Sequence, residues 1–180
     1  MSNPIIQPWI LIGYDLFSKQ GLSGLKVEVI ARKVGKNKSS FYHHFADMEV
    51  FMEVLLNHHL ERSKIIATRE RLCKKMIPDM LNLLVEVKQD LLFNRQLRVN
   101  RHIPAYKNCF ESINREIEDA FLEIWSEALG LSNKTNAAKK VLEQSIENFY
   151  LQITDEALTY EWLLKFVGEI RIMVQEISHH

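Results

Sequence analysis

The side chains best suited to contact a nucleic acid are concentrated in one short stretch, residues 36 to 44. Lysine offers a mobile positive charge to phosphate oxygens, and serine, tyrosine and histidine offer hydrogen-bond donors to phosphates or base edges. We therefore predict a DNA contact surface made from this stretch and from one lysine that precedes it. Its predicted members are Lys26, Lys36, Asn37, Lys38, Ser39, Ser40, Tyr42, His43 and His44.

The predicted roles within this surface differ. The residues expected on phosphates are Lys26, Lys36, Lys38, Tyr42 and His44, and those nearer the bases are Ser39, Ser40 and His43. Asn37 is expected mainly to cap the helix that carries them. Because each neutralised phosphate releases counterions, DNA affinity is expected to fall steeply with salt.

Two short helices and a turn are needed to position these side chains. The first helix has one apolar face at helical spacing, formed by Val27, Ile30, Ala31 and Val34. Gly35 follows it, where a chain leaving a helix often adopts a left-handed conformation. Phe41 and Phe45 lie four residues apart on one side of the second helix and are expected to anchor it. A generic helical hairpin with a solvated polar face would show the same pattern.

These residues also resemble the amino-terminal domain of the TetR family of transcriptional regulators. The densest part of the family's pattern is an aromatic run, matched here by FYHHF from Phe41 to Phe45. The other matching positions are Gly13, Leu16, Phe17, Gly21, Ile30, Ala31, Val34, Gly35, Asp47, Glu49, Phe51 and Leu55. The resemblance implies a helix-turn-helix that binds DNA, followed by a helical body that binds a small ligand and pairs with a second copy.

Three positions depart from the family's pattern. Lys26 stands where the family usually has a threonine near a phosphate, and a lysine can serve the same phosphate through its charge. Lys36 replaces a small apolar residue in the turn, which adds a cation and removes some packing. Met48 stands where a lysine commonly reaches the DNA backbone, so that phosphate contact is not expected here.

The charge distribution favours DNA binding, although the whole chain of 180 residues has a formal net charge of zero. Residues 1 to 46 carry six Lys or Arg against two acids, a net of +4. The remaining residues carry 17 bases against 21 acids, a net of −4, so the two parts cancel. A basic segment joined to an acidic one orients a protein toward a polyanion and limits adhesion elsewhere.

The predicted fold is all-α, with about nine helices. Gly and Pro number only six and four, and no strand-like alternation persists. We predict a three-helix DNA-binding head at residues 1–50 and a larger ligand-binding and dimerisation body at residues 51–178. The helices expected after the head are Asp47 to about Thr68, Leu72–Val87, Asp90–Ile103, Tyr106–Leu129, Ser132–Gln152 and Asp155–Ile177. His179 and His180 are set aside, as native sequence or the remnant of a purification tag.

A ligand site in the body is expected from the resemblance, and aromatic, methionine and basic residues are its candidates. They are Met76, Met80, Phe93, Arg98, His102, Phe110, Phe121 and Trp125. Arg98 and His102, with Arg95, fall along one side of a helix and suit an acidic ligand. The alternative is a solvated helix face for the basic residues and ordinary core for the apolar ones.

The last two predicted helices carry more apolar surface than packing on one body requires, which indicates a homodimer. The candidate interface residues are Val141, Ile146, Phe149, Tyr150, Leu158, Trp162, Phe166 and Ile170. Paired with the same helices of a second chain, they would form a four-helix interface with two-fold symmetry.

Several classes of function lack their signals in the sequence. There is no Gly-rich phosphate loop, nucleophile elbow or zinc-protease helix, so we predict no enzyme and no cofactor. Cys73 and Cys109 have no metal-ligand spacing, and the adjacent His58 and His59 are expected on a solvated helix surface, so no metal site is predicted. Neither a signal peptide nor a membrane span is evident, and a cytoplasmic location is expected.

The functional prediction is a TetR-like regulator, a repressor that a small ligand releases from a near-palindromic operator in double-stranded DNA. The alternative is a helical dimer with the same fold that acts through ligand or protein contacts without DNA.

Overall fold

The chain folds into α-helices, as predicted. The structure, a computed structural model, describes residues 4–178, and within them all side chains except those of residues 118–120 and 178. No strand occurs among these residues, and His179 and His180 lie outside them. The α-helices formed by the described residues are α1 (Gln7–Gln20), α2 (Val27–Val34), α3 (Lys38–His44), α4 (Met48–Glu70), α5 (Leu81–Glu86), α6 (Lys88–Val99), α7 (Pro104–Ala128), α8 (Thr135–Gln152) and α9 (Tyr160–Ser178). A 3₁₀ turn follows α1, and a π turn precedes α5.

The helices form two compact units. The first contains the described residues up to Arg62 together with Gln89–Phe110, and the second contains Ser63–Lys88 and the described residues from Glu111 onward. Helix α4 belongs to the first unit up to Arg62 and to the second thereafter. The predicted division between residues 50 and 51 separates DNA binding from ligand binding and dimerisation. The two compact units do not test this functional division, so it stays a prediction.

Aromatic rings form the part of the first core that holds the short helices. Trp9 of α1 lies 5.8 Å from the Phe41 ring and 6.4 Å from the Phe45 ring, measured between centroids. Phe51 of α4 meets the same two rings at 5.3 and 4.8 Å. Gly13 allows Phe51 to approach, since a Cβ there would lie 2.4 Å from Phe51 Cζ. The glycine of the family pattern is therefore a packing requirement.

A cluster of aromatic rings lies between α8 and α9 in the second unit. Phe149 lies 5.8 Å from Trp162 and 5.7 Å from Phe166, and Trp162 and Phe166 stack at 5.2 Å. Helix α5 packs against α9, and the first residue of α5, Leu81, is fully buried. Among the described residues, no helix is both long and apolar enough to cross a membrane.

The helix predicted at Leu72–Val87 begins later than expected. Leu72 is 76% exposed, and the helical turns start only at Met76. Ile77 is not helical, with φ −116° and ψ 122°, because a residue before proline is pushed toward extended backbone. The Asp79 carboxylate accepts hydrogen bonds from two preceding backbone N–H groups, which fixes the turn. The sequence predicts a kink at Pro78 within this helix, and the structure has a helix start there instead.

Two other details of the predicted helices were wrong. The sequence predicts Phe51, Leu55 and Ile65 on one side of α4, but Ile65 is 62% exposed while Ile66 is buried. The buried face of α4 continues through His59, Ser63, Ile66 and Glu70 at helical spacing, and Ile65 lies beside it. Helix α9 begins five residues later than predicted, because Thr159 Oγ1 accepts the N–H of Trp162 and caps it there.

Candidate nucleic-acid interface

The turn between α2 and α3 has the geometry that the sequence predicted. Gly35 adopts the left-handed conformation, with φ 74° and ψ 30°, and the N–H of Lys36 donates to Ala31 O at 2.9 Å. Asn37 then caps α3, because its Oδ1 accepts the backbone N–H of Ser40 at 2.8 Å. These local bonds fix where α3 begins and therefore which of its side chains face outward.

Helix α3 has one buried side and one exposed side. Phe41 is fully buried and Phe45 is 2% exposed, so the aromatic core holds the inner side as predicted. Tyr42 on the outer side is 48% exposed despite its large ring. Such a side chain on a firmly anchored helix offers a rigid donor to a partner.

Most of the predicted DNA contacts are exposed, and four of them, Lys38, Ser39, Tyr42 and His43, lie on this outer side of α3. The exposed members are Lys26, Lys36, Asn37, Lys38, Ser39, Tyr42 and His43, and the half-buried members are Ser40 and His44. The Ser40 hydroxyl lies 2.9 Å from Asn37 Oδ1 and donates to it, so it belongs to the cap. The His44 ring lies edge-on to Trp9 at 6.1 Å. Ser39 and His43 are therefore the more accessible donors of the predicted base-contact set.

An ion pair joins α2 to α3 at this surface, and sequence reasoning missed it. Lys38 Nζ donates to Glu28 Oε1 at 2.5 Å, and both side chains are exposed. The hydrogen bond from Lys38 lowers the pKa of Glu28, and the same bond raises the pKa of Lys38, so both stay charged at neutral pH. A separation of ten positions across a turn carries no periodic signal that could have revealed it.

A buried polar network connects Tyr14 of α1 to residues of α4 and α6. The Tyr14 hydroxyl donates to Asp90 Oδ1 at 2.7 Å and lies 2.6 Å from His59 Nδ1. Since a hydroxyl has one hydrogen, His59 Nδ1 carries the proton in that second bond. Arg62 binds both Asp90 oxygens, with Nε to Oδ1 at 2.5 Å and Nη2 to Oδ2 at 2.6 Å. The network joins α1, α4 and α6 within the first unit.

The solvated surface predicted for His58 and His59 was wrong. His59 is 2% exposed, and His58 is half-buried with its ring edge-on to Tyr14 at 5.2 Å. Burial lowers the pKa of His59 to about 4, so this ring is neutral at pH 7. No group of three or more potential metal ligands from His, Cys, Asp and Glu occurs in the described part of the chain.

The predicted ligand residues divide between the two units. Met76, Met80, Phe121 and Trp125 belong to the second unit, and Phe93, Arg98, His102 and Phe110 to the first. Phe93 is fully buried and stacks on Tyr14 at 4.3 Å. Arg98 is 9% exposed, with its guanidinium carbon 4.5 Å from the Phe110 ring centre, so it is not on a solvated face. His102 is exposed.

A groove of about 460 Å³ lies in the second unit. The predicted ligand residue that lines it is Met76, beside the partly exposed apolar residues Ile77 and Leu164. The other lining residues are Lys75, Ile124, Glu127, Ala128, Val167, Gly168 and Arg171. Sequence reasoning missed most of them because they come from three separate segments.

The predicted dimer residues differ in how much surface the single chain leaves open. Leu158 and Tyr150 are 1% and 7% exposed, and Phe166 and Ile170 are each 8% exposed. The half-buried members are Val141, Ile146, Phe149 and Trp162. The more exposed apolar residues of α8 and α9 are Leu151, Leu164, Ile172, Met173 and Ile177.

Residues 13–55 match the model of the bacterial regulatory proteins, tetR family. This segment is therefore similar to the amino-terminal domain of that family. A solved structure from Rhodococcus sp., described as a TetR-family transcriptional regulator, shares its fold with a TM-score of 0.59 and 18% identity. That similarity covers 93% of this chain and 97% of the other. No curated protein matches the chain in sequence. The family model covers α2, α3 and the first turns of α4, so it contains the whole turn and the ion pair between Glu28 and Lys38.

Proposed function

We propose that this TetR-fold protein is a DNA-binding transcriptional regulator that places α3 in the major groove. The observation that carries the proposal is the outer side of α3, where a capped helix on an aromatic anchor exposes Lys38, Ser39, Tyr42 and His43. A helix fits the major groove, where base edges present distinct hydrogen-bond patterns.

The proposed contacts separate into phosphate and base contacts. Lysine, tyrosine and histidine side chains suit phosphates, and the proposed phosphate contacts are Lys26, Lys36, Lys38, Tyr42 and His44. Ser39 and His43 point outward between them and suit base edges, while Ser40 stands beside them in the cap. Phosphate contacts fix the register of the helix on the duplex, and base contacts give its sequence preference.

A gel shift with the DNA upstream of the protein's own gene tests this function. We expect a specific complex that weakens steeply between 50 and 200 mM salt, because each phosphate contact releases counterions. The double variant Lys38→Ala, Tyr42→Phe should weaken the complex and flatten its salt dependence. Lys140→Ala removes one exposed lysine from α8 and serves as the control for lost charge. Unchanged binding by the double variant would show that α3 is not the DNA-binding helix.

The regulatory part of the proposal is repression that a small ligand relieves. The groove beside Met76 is the proposed ligand site, because its apolar floor and the exposed cations Lys75 and Arg171 suit an apolar molecule with an acidic group. Helix α4 begins shortly after α3 and runs without a break from the first unit into the second, which gives a path for the signal. A ligand releases DNA only if it binds the DNA-free state more tightly.

The proposed regulator is a homodimer that pairs through α8 and α9. Two-fold symmetry would present two copies of α3 to major grooves about one helical turn apart, which corresponds to a near-palindromic operator. The apolar residues that α8 and α9 leave exposed support this proposal.

A second candidate function is a TetR-fold dimer that acts through ligand or protein contacts without DNA. Met48 favours it, because the first residue of α4 lacks the positive charge that commonly reaches the DNA backbone. The net negative charge of residues 47–180 also favours it. The gel shift described above distinguishes the two functions.

A further inference from the structure

We propose that Glu28 acts as an electrostatic brake, which offsets the charge of Lys38 and so limits the binding of DNA regardless of sequence. The proposal rests on the proposed function. It adds a residue of the same surface that lowers the affinity for DNA. Its consequence is biological as well as physical, since a genome offers about 10⁶ or more competing non-specific sites.

The position of Glu28 makes it suited to this role. It lies in the first turn of α2, and its carboxylate meets the ammonium group of Lys38, the first residue of α3. The oxygen and nitrogen are 2.5 Å apart, and 65% of the Glu28 side chain and 53% of the Lys38 side chain stay exposed. A phosphate that reaches Lys38 therefore also meets the carboxylate.

Glu28 is also the only acidic residue between Leu16 and Ala46. The nearest acid before it, Asp15, lies in α1 and pairs with Lys19 at 2.7 Å, outside the α2–α3 surface. Among the described residues, Lys38 is therefore the lysine of this surface that forms an ion pair with a carboxylate. Removing that carboxylate would raise the net charge of the surface by one.

Counterion release gives the size of the effect. A lysine that gains one full phosphate contact steepens the dependence of the logarithm of affinity on the logarithm of salt by about 0.9. Over a fourfold change in salt, this amounts to roughly a 3.5-fold larger change in affinity. Non-specific binding is almost wholly electrostatic, so the effect is clearest on DNA without an operator.

The test compares the wild-type protein with Glu28→Gln, which keeps the side-chain shape and removes the charge. Affinity for a labelled random-sequence duplex is measured by fluorescence anisotropy between 50 and 200 mM salt. We expect tighter binding by at least threefold at the lowest salt and a slope steeper by about 0.9. Glu143→Gln changes the net charge equally at an exposed site on α8 and should leave both quantities unchanged.

The Lys38→Ala background decides whether the ion pair carries the effect. There, Glu28→Gln should have little influence, because the two substitutions remove parts of one interaction. An equal gain in both backgrounds, or a gain matched by Glu143→Gln, would overturn the brake. Wild-type binding with no response to Glu28→Gln would also overturn it while leaving the proposed function intact. If neither protein binds any duplex at low salt, the proposed function and the brake both fail.

Discussion

The hydroxyl of Tyr14 donates a hydrogen bond to Asp90 Oδ1 across 2.7 Å, although the two residues are 76 positions apart in the chain. Both side chains are buried, at 1% and 3% exposure, so water cannot replace either partner. Burial, followed by the Asp90 charge, raises the pKa of Tyr14, so the hydroxyl keeps its proton at any physiological pH. The bond therefore connects α1 to α6 inside the first unit as a permanent feature of the folded state.

Tyr14→Phe should destabilise the protein by about 1–3 kcal/mol, because it removes the Tyr14 partner of the buried His59 Nδ1 and one of the hydrogen bonds to Asp90 Oδ1. Urea unfolding followed by circular dichroism measures the change in the free energy of unfolding. Tyr42→Phe removes the same hydroxyl from a ring that is 48% exposed and should change stability by less than about 0.5 kcal/mol. Equal effects of the two variants would contradict the structural role of the network.

The burial of Glu70 should make the free energy of unfolding depend on pH. Its side chain is 2% exposed in the last turn of α4, Oε2 has no hydrogen-bond partner among the described residues, and burial raises its pKa to about 7. The folded state thus holds a proton that the unfolded state releases near pH 4.5. The stabilisation from this group is complete below pH 4.5 and is lost as the pH rises through 7.

Glu70→Gln should therefore be more stable than the wild type at pH 8, by up to about 3 kcal/mol, with the difference shrinking toward pH 4.5. Urea unfolding of both proteins at pH 5 and pH 8 measures this. His59, whose pKa burial lowers to about 4, contributes in the opposite direction as the pH falls, but it is present in both proteins and cancels. A difference that does not change with pH would contradict the buried carboxyl.

The α2–turn–α3 segment could be predicted because its signals act over a few residues. Gly35 ends one helix, Asn37 caps the next, and Phe41 and Phe45 follow at one helical turn. Each of these signals depends on backbone conformation or side-chain spacing that is visible locally. The exposed residues of α3 follow from the buried ones, since a helix alternates its faces with a fixed period.

The polar network and the start of α5 could not be predicted for the opposite reason. Tyr14 is 45 positions from His59, and no periodicity links two such residues. The sequence also does not show that Tyr14 and His59 are buried, because the carboxylate in their network, Asp90, comes from a distant part of the chain. The apolar spacing that predicts α5 extends back to Leu72. The extended backbone at Ile77 prevents the helix from starting that early.

Met173→Glu should convert the proposed dimer to a monomer. Met173 is 47% exposed and lies seven residues after Phe166, on the same side of α9 as the ring cluster. A carboxylate there would be buried without a partner in a pairing of α8 and α9 with a second copy. Sedimentation at micromolar concentration should show a wild-type dimer and a monomeric variant. Ile65→Glu, at an apolar residue 62% exposed on α4, should remain dimeric. A monomeric wild-type protein would remove the proposal.

A further prediction concerns the coupling between ligand and operator. A ligand found by thermal-shift screening of apolar acids should weaken operator binding about 5- to 150-fold, which corresponds to a coupling of roughly 1–3 kcal/mol. Linkage requires operator DNA to weaken ligand binding by the same factor, and calorimetry with and without operator measures it. Equal ligand affinity in both titrations would show that the two sites are not coupled.

Gly168→Leu tests whether the groove in the second unit holds that ligand. A Cβ built at Gly168 meets no atom within 4 Å, so a larger side chain can extend into the groove without a clash at its base. We expect the variant to lose ligand binding in calorimetry and to keep wild-type affinity for the operator. Its operator complex should then persist at ligand concentrations that dissociate the wild-type complex. A variant that still binds the ligand at wild-type affinity would place the ligand outside the groove, because the filled space would otherwise exclude it.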